Sequence, residues 1–576
     1  MKKIDVLMEW LKNIAIYMLL YIVSILFVVT AMQFINLSIN KYTFFISIMV
    51  TTIIYYIFKR KKANLKNICF ISICSIMIIL FTIFFIGKIY DITCDGNTYH
   101  KYAVGNLKNG WNPTRESSYD FSVSHNLYPN EKLSLWVDHY AKATWNYGAV
   151  IYSLTSNIEA GKSLCLLMAI ILFFLLTSYL YNKKFKLYQS ILISLLLAFN
   201  PIVCSQVFSY YVDGTLGLAI YMTLLFLVIV TDDDYTFMSK LEKYFGLFAS
   251  ILLCINIKFT GMLYAGIFSI VFYIYWLIKA NKSKNLFNEF KQKSLFFVIT
   301  LILSVGYVGY STYITNTMNN KNPLYPLFGD NKVDIITIMQ PAEFKNMNGI
   351  KKLFYSLFSK SENVIYTSKN VPQLKIPFTF DKKELKSLSI PDLRIGGYGP
   401  LYSGVFVISI ILFIYLIIKL LKNKIKLSNK SIIILNILIA IIISTIMMIE
   451  SWWARYAPQL YLFPILSILI MFYYLNINNK KVNVLVKILL IITIIPLALD
   501  SLFVLKYRYD DLNTSKNIST SLYNLKIKSN SEKVKIRLAG DANIGILFDL
   551  DDKNISYIVD QSCQGKDTAY SCQIMY

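Results

Sequence analysis

Apolar residues run through this chain in blocks of roughly twenty, separated by short basic tracts or by long polar stretches. At 1.5 Å per residue such a block, wound as a helix, crosses the ~30 Å of hydrocarbon in a bilayer. The blocks fall at 13–35, 42–58, 68–89, 161–182, 187–207, 212–230, 243–257, 260–280, 294–315, 400–421, 431–449, 458–476 and 483–505, which predicts thirteen transmembrane helices. Three polar regions interrupt the series, at 90–160, 316–399 and after 506. The first predicts interfacial helices at 106–111 and 133–152. The last carries the strand-like K-V-K-I-R-L at 533–538, a short helical pattern at 542–548 and a second strand at 555–559. The expected fold is an all-α polytopic membrane protein with a small C-terminal α/β domain. The first block is too long for a signal-peptide core and lacks a small-residue cleavage site, so it reads as a signal anchor.

Composition agrees, with 56% hydrophobic residues and a mean hydropathy of +0.51. A net charge of +25 would point to nucleic acid if it were gathered on a soluble module. Here the basic residues lie in tracts between apolar blocks, such as F-K-R-K-K at 58–62, where they orient a polytopic chain. The partner implied is the lipid bilayer, not nucleic acid. With the N-terminus in the cytoplasm, nearly every basic tract falls on the cytoplasmic side. The short outer connections then carry only Lys41, Lys258 and Arg455. The three polar regions and the C-terminus become extracytoplasmic. Cys563 and Cys572, nine apart in that outer tail, are then expected to form a disulfide. No CxxC or HExxH spacing of the metal-binding kind occurs, and the three histidines all lie within 90–160. The G-D-A-N-I-G at 540–545 is too loose for a phosphate loop.

The candidate chemistry gathers at the outer ends of the blocks. Asp91 and Asp95, in Y-D-I-T-C-D-G-N-T-Y-H at 90–100, follow the third block, with Tyr99 and His100 just behind. Charge at the lip of a span is costly unless solvated or paired, which makes it a functional candidate; a solvated helix end is the plainer alternative. Asp213 stands at the outer end of the sixth block and also suits the positive end of a helix dipole. Lys258 lies between two apolar blocks, where it either snorkels or meets an anionic headgroup. Glu450 and Arg455 flank two tryptophans in E-S-W-W-A-R-Y-A-P at 450–458, an aromatic belt or a phosphate grip. Together these acids and cations describe one chemistry. A carboxylate removes a proton from an acceptor hydroxyl, while Lys or Arg neutralises a leaving phosphate.

The D-G-N-T-Y-H of 95–100, following a span and leading to G-W-N-P at 110–113, resembles the first outer loop of bacterial GT-C glycosyltransferases. N-P-L-Y-P-L at 322–327, G-G-Y-G-P at 396–400 and W-W-A-R-Y at 452–456 are similar to segments of the same enzymes. The resemblance covers roughly 68–460. It implies two additional spans at 1–67, a catalytic membrane core at 68–315 with 90–160 as its long first outer loop, and a loop over the active site at 316–399. Four further spans at 400–505 and an extracytoplasmic cap at 506–576 complete the chain. The location implied is the bacterial cytoplasmic membrane with an outward-facing active site. The implied activity is transfer of a sugar from a polyprenyl-phosphate carrier to an envelope glycan, lipid or protein.

By the same resemblance Asp95, at the acid position of D-x-x-x-Y-H, is the base. Asp91 and Asp213 support it or orient the acceptor, and Tyr99, His100, Lys258, Arg455, Glu450 and Tyr325 bind substrate. No cofactor is assigned; a divalent cation, Mg or Mn, held at Asp91 or Asp213 stays open. The adjacent acidic pair usual in the family is absent, so the choice of base between Asp91 and Asp95 also stays open. Two other classes compete. A glycan polymerase or ligase using diphosphate-linked oligosaccharides would show more outer arginines. A lipid-linked glycan flippase or transporter would show charges at mid-membrane and paired halves.

Overall fold

The computed structural model describes residues 3–60, 63–329, 332–334, 339–363, 371–422, 429–477, 483–539, 543–563, 568–570 and 574–575. Helices α1 (Lys3–Phe34), α2 (Lys41–Lys59) and α3 (Leu65–Ile86) open the chain. The first outer loop follows, with a π-helical turn at Gly96–His100, then α4 (Lys101–Lys108), α5 (Ser118–Ser124), α6 (Glu131–His139) and α7 (Ala143–Thr155). The chain returns through α8 (Leu164–Asn182), α9 (Leu187–Ala198), α10 (Pro201–Gln206), α11 (Asp213–Thr231), α12 (Lys240–Ile257), α13 (Phe259–Lys282) and α14 (Leu286–Leu301). Short helices α15 (Thr315–Asn320), α16 (Gly349–Phe358) and α17 (Lys382–Ser387) belong to the second outer region. Then come α18 (Tyr402–Lys422), α19 (Asn429–Met447), α20 (Leu462–Ile477) and the long α21 (Asn483–Ser529).

Each of the thirteen apolar blocks lies on helix, and eight of the described helices are long and apolar enough to cross a membrane. Two of the blocks are interrupted, for local reasons. The 187–207 block breaks where Asn200 caps a new helix, accepting from the Ile202 and Val203 N–H groups, and Pro201 takes its first position. The 294–315 block passes from α14 into π-helical turns at Ile302–Val308 and Tyr310–Ile314. The protein is therefore mostly helical and multi-pass. Its middle is formed by α11 and α1, both largely enclosed by other helices. The first helix, counted from sequence as one of two additional spans, is thus an interior element: Gln33 on α1 donates to Asn146 on α7.

Two expectations need correction. The stretch 133–152 is not one helix but most of α6 followed by most of α7, on which Trp145 and Tyr147 are fully buried. The 106–111 stretch is the end of α4 with its closing turn, not a helix of its own. The tail also begins differently from expectation, because α21 continues as helix from 505 to Ser529. Ile518, Leu522 and Leu525, spaced four and three apart, bury one face of this extension.

Beyond it the cap has the expected strands, β1 (Val534–Leu538) and β2 (Tyr557–Val559), with α22 (Ile546–Asp552) between them. Two further strands, β3 (Thr568–Ala569) and β4 (Ile574–Met575), complete a sheet in the order β2-β1-β4-β3. The β1–β2 pair is parallel and the other two pairs are antiparallel. Cys572, and with it the expected disulfide, lies outside the described residues.

The cap is keyed into the first outer loop by charge. Buried Lys101 on α4 reaches Glu159 at 2.6 Å, Asp549 of α22 at 2.7 Å and the Tyr570 hydroxyl at 2.7 Å. Asp552 accepts from the Tyr152 hydroxyl at 2.6 Å and the Ile158 N–H at 2.7 Å. Phe548 lies flat over Gly105, where a Cβ would come within 2.3 Å of its ring. The cap and the first outer loop must therefore lie on one side of the membrane. Topology reporters fused at Lys183 and Ser531 are expected to give opposite signals; matching signals would refute the arrangement.

Candidate active site

The loop after α3 is tied down before it reaches Asp95. The Asp91 carboxylate is 1% exposed and fully engaged. It accepts from the Thr93 N–H at 2.8 Å, the Thr93 hydroxyl at 2.6 Å and, across the chain, the Tyr210 N–H at 2.6 Å. Gly96 permits this fold-back, because a Cβ there would sit 2.1 Å from Asp91 Oδ2. Asp91 thus lashes the first outer loop to the turn that leads into α11, and its oxygens face backbone. Asp95, four residues on, is the half-exposed member of the pair, with 30% of its side chain open.

Around Asp95 the fold gathers charges from four other parts of the chain. Asp213, the first residue of α11 and 1% exposed, contacts Lys258 Nζ through Oδ1 at 2.5 Å. Lys258 is the extended residue between α12 and α13, and its ammonium lies 4.2 Å above the Tyr456 ring. Arg455 Nη1 stands 3.2 Å from Asp392 Oδ1, 3.4 Å from Asp213 Oδ2 and 3.8 Å from Asp95 Oδ2. Its guanidinium is stacked 4.2 Å over Trp453. Arg394 approaches the far side of Asp392 at 3.7 Å. The Tyr99 hydroxyl donates to Asp95 Oδ2 at 3.4 Å.

Of the sequence candidates, Asp95, Tyr99, Asp213, Lys258 and Arg455 come together. His100 does not reach the cluster: it is buried behind Tyr99, and its Nδ1 accepts from Trp145 Nε1 at 2.8 Å. Burial drives His100 down to about 3, so it is a neutral support. Glu450 accepts from Trp452 Nε1 and faces Lys352 at 3.9 Å, on the α16 side. Tyr325 packs edge-on to His139 at 4.8 Å, and its carbonyl accepts from Asn316. Asp392 and Arg394 were missed from sequence, together with Tyr211, whose ring lies 5.4 Å from the Arg455 guanidinium. The signal was present as P-D-L-R at 391–394, an acid and a base two apart, just before G-G-Y-G-P.

Two of the carboxylates that share this guanidinium, Asp95 and Asp392, hold their protons more tightly than an ordinary aspartate. Burial raises Asp95, partly offset by Arg455. Burial lifts Asp392 to about 6, with Arg455 opposing and Asp95 adding to the rise. Arg455 Nε, Arg394 Nε and Arg394 Nη1 are buried without a hydrogen-bond partner among the described residues. These are donors of the kind a phosphate oxygen accepts from. The cleft behind Arg455, between Gln206, Pro391, Leu393 and Ala454, has about 20 Å³, room for about one water. Arg455 is therefore reached from the exposed Asp95 side. Asp91 and Asp213 offer a divalent cation no common donor set, for the oxygens of one are taken by N–H and hydroxyl donors and those of the other by Lys258 and Arg455. Among the described residues no group of three His, Cys, Asp or Glu side chains is placed to hold a metal.

No protein-family model matches the chain, and no curated protein matches it. Among solved structures it is similar to the crystal structure of ArnT from Cupriavidus metallidurans in the apo state, at 10% identity over 83% of each chain and a TM-score of 0.44.

Removing the guanidinium would leave three carboxylates facing one another. Arg455→Ala is expected to lower stability by about 3 kcal/mol, as breaking a buried pair does. Asp392→Asn in the same chain should recover part of that loss, because it removes one of the repelling charges. Thermal unfolding of both variants in detergent measures this; strictly additive losses would show that the two side chains are not coupled.

Proposed function

We propose that the chain is a GT-C-type membrane glycosyltransferase that moves a sugar from a polyprenyl-phosphate carrier to a hydroxyl of an extracytoplasmic cell-envelope acceptor, with inversion. The observation that carries this reading is the half-exposed Asp95 standing 3.8 Å from Arg455, beside Lys258 paired to Asp213. A base and a pair of phosphate-suited cations thus share one outward lip. Asp95 takes the proton from the acceptor hydroxyl as its oxygen attacks the anomeric carbon. The bond from that carbon to the phosphate oxygen breaks on the opposite face. The polyprenyl phosphate leaves with the electron pair, and its new negative charge is met by Arg455 and Lys258. Asp213 holds both cations in place, which makes it a positioning residue. Tyr99 keeps the Asp95 carboxylate turned toward the opening.

The diphosphate-linked reading gains one observation. Arg394 adds a third cation, 5.3 Å from the Trp453 ring that also supports Arg455. Competition by polyprenyl phosphate against polyprenyl diphosphate separates the two donor classes.

Asp95→Asn keeps the shape of the side chain but removes the base, so turnover should fall about 10²- to 10⁴-fold while donor binding persists. Arg455→Ala or Lys258→Ala should weaken donor binding as well. Near-normal turnover in Asp95→Asn would exclude it as the base.

The pH profile offers a separate check. A base works deprotonated, and both Asp95 and Asp392 are raised, Asp392 to about 6. kcat/KM is therefore expected to be full at neutral pH and, as pH falls, to decline at a pH above the ~3.9 of an ordinary aspartate. A profile flat down to the ordinary carboxylate range would count against a raised carboxylate in the mechanism.

A further inference from the structure

Helices α11 and α13 each carry charge at both ends. At one end stand Asp213 and Lys258 of the cluster described above. At the other end lies a pocket of about 620 Å³ lined by residues of α11, α12, α13 and α14 and the turn before α12. The 19 residues of α11 put the two sites roughly 28 Å apart along its axis, about the thickness of a bilayer's hydrocarbon. The basic tracts place this second end on the cytoplasmic side. Nothing in the proposed transfer reaction uses it.

The lining of the pocket is cationic and aromatic. Four lysines, Lys240, Lys243, Lys279 and Lys293, stand against two carboxylates, Asp233 and Glu289. Among the described residues only Lys279 of the four lies within 3 Å of a carboxylate, Asp233 at 2.5 Å, while Lys293 donates to the Tyr244 hydroxyl. Lys293 is buried, with its ammonium 4.4 Å over Trp276 and 4.8 Å over Tyr244, and the Glu289 carboxylate is 3.8 Å away. Lys243 Nζ meets the Asp232 backbone carbonyl at 3.0 Å and not a carboxylate. Helix dipoles do not decide the sign, since α12 and α14 begin at this pocket while α11 and α13 end there. The lysines decide it, and the pocket favours an anion.

The surface beside the pocket shows which kind of anion. Ile270, Ile274 and Ile278 form an exposed stripe down α13, spaced four apart, ending next to Lys279. Phe287 and Phe290 are exposed at the start of α14, flanking Glu289. Acyl chains lying along these apolar faces would bring their headgroup to the lysines. We propose that this pocket is a binding site for the phosphate of an anionic membrane glycerophospholipid, drawn from the leaflet opposite the active site.

The test uses the purified full chain in detergent, offered phosphatidylglycerol and phosphatidylcholine of matched acyl chains, with native mass spectrometry reading the lipid retained. Wild type should retain phosphatidylglycerol preferentially. Lys240→Gln and Lys243→Gln should each reduce that preference about fivefold, as expected for one surface lysine near an anionic lipid. Both lie on the pocket's more accessible side, and thermal unfolding checks that the variants remain folded. Ser283→Trp, which crowds the pocket without removing a charge, should abolish retention by a separate route. Equal retention of the two lipids by wild type, or an unchanged preference in the Lys240→Gln/Lys243→Gln double variant, overturns the proposal. Inorganic phosphate displacing the lipid at comparable concentration would overturn the lipid assignment in favour of free phosphate.

Discussion

A single guanidinium holds one face of this protein in register. Arg455 faces Asp95 from the first outer loop, Asp213 from the start of α11 and Asp392 from the second outer region. Three carboxylates converging in a partly dry site repel strongly unless a cation stands among them. Arg suits the place because its planar group stays charged and stacks on Trp453 while its edge addresses the acids. Lys258, spread over Tyr456 and bound to Asp213, absorbs the remaining negative charge. The cluster is both the candidate chemistry and the clasp that joins three distant segments.

A second buried network does comparable work one layer away. Lys101 binds Glu159, Asp549 and Tyr570, and the Tyr570 hydroxyl also donates to the backbone carbonyl of Asp91. Through Asp91 the network touches the loop that presents Asp95. Two carboxylates four residues apart thus divide the labour: Asp91 fixes the loop from behind, and Asp95 remains open in front.

Helix existence was legible from the apolar blocks, because length and hydropathy decide it without tertiary knowledge. What sequence could not rank was which helices lie inside, since α1 is as apolar as the lipid-facing α3. In a bilayer both faces of a helix are apolar, so the usual amphipathic signal of an interior position is missing. Asp213, Lys258 and Arg455 were readable as charges where charge is costly. Asp392 was not, because it lies in a long polar region where one aspartate looks like any other. The difference between Asp91 and Asp95 was likewise invisible, for it rests on a backbone N–H supplied by Tyr210, over a hundred residues away.

The cap network also has a consequence for synthesis. Lys101 and its partner Asp549 are separated by 448 residues. At a translation rate of 5–20 residues per second, roughly 20 to 90 seconds pass between them. During that interval Lys101 has Glu159 as a partner but lacks Asp549 and Tyr570. A ribosome that stops short of α22 would release a chain with its membrane helices made and Lys101, Tyr152 and the Ile158 N–H without their α22 partners. The end of the message, remote from the proposed chemistry, thereby completes the network behind the loop that presents Asp95.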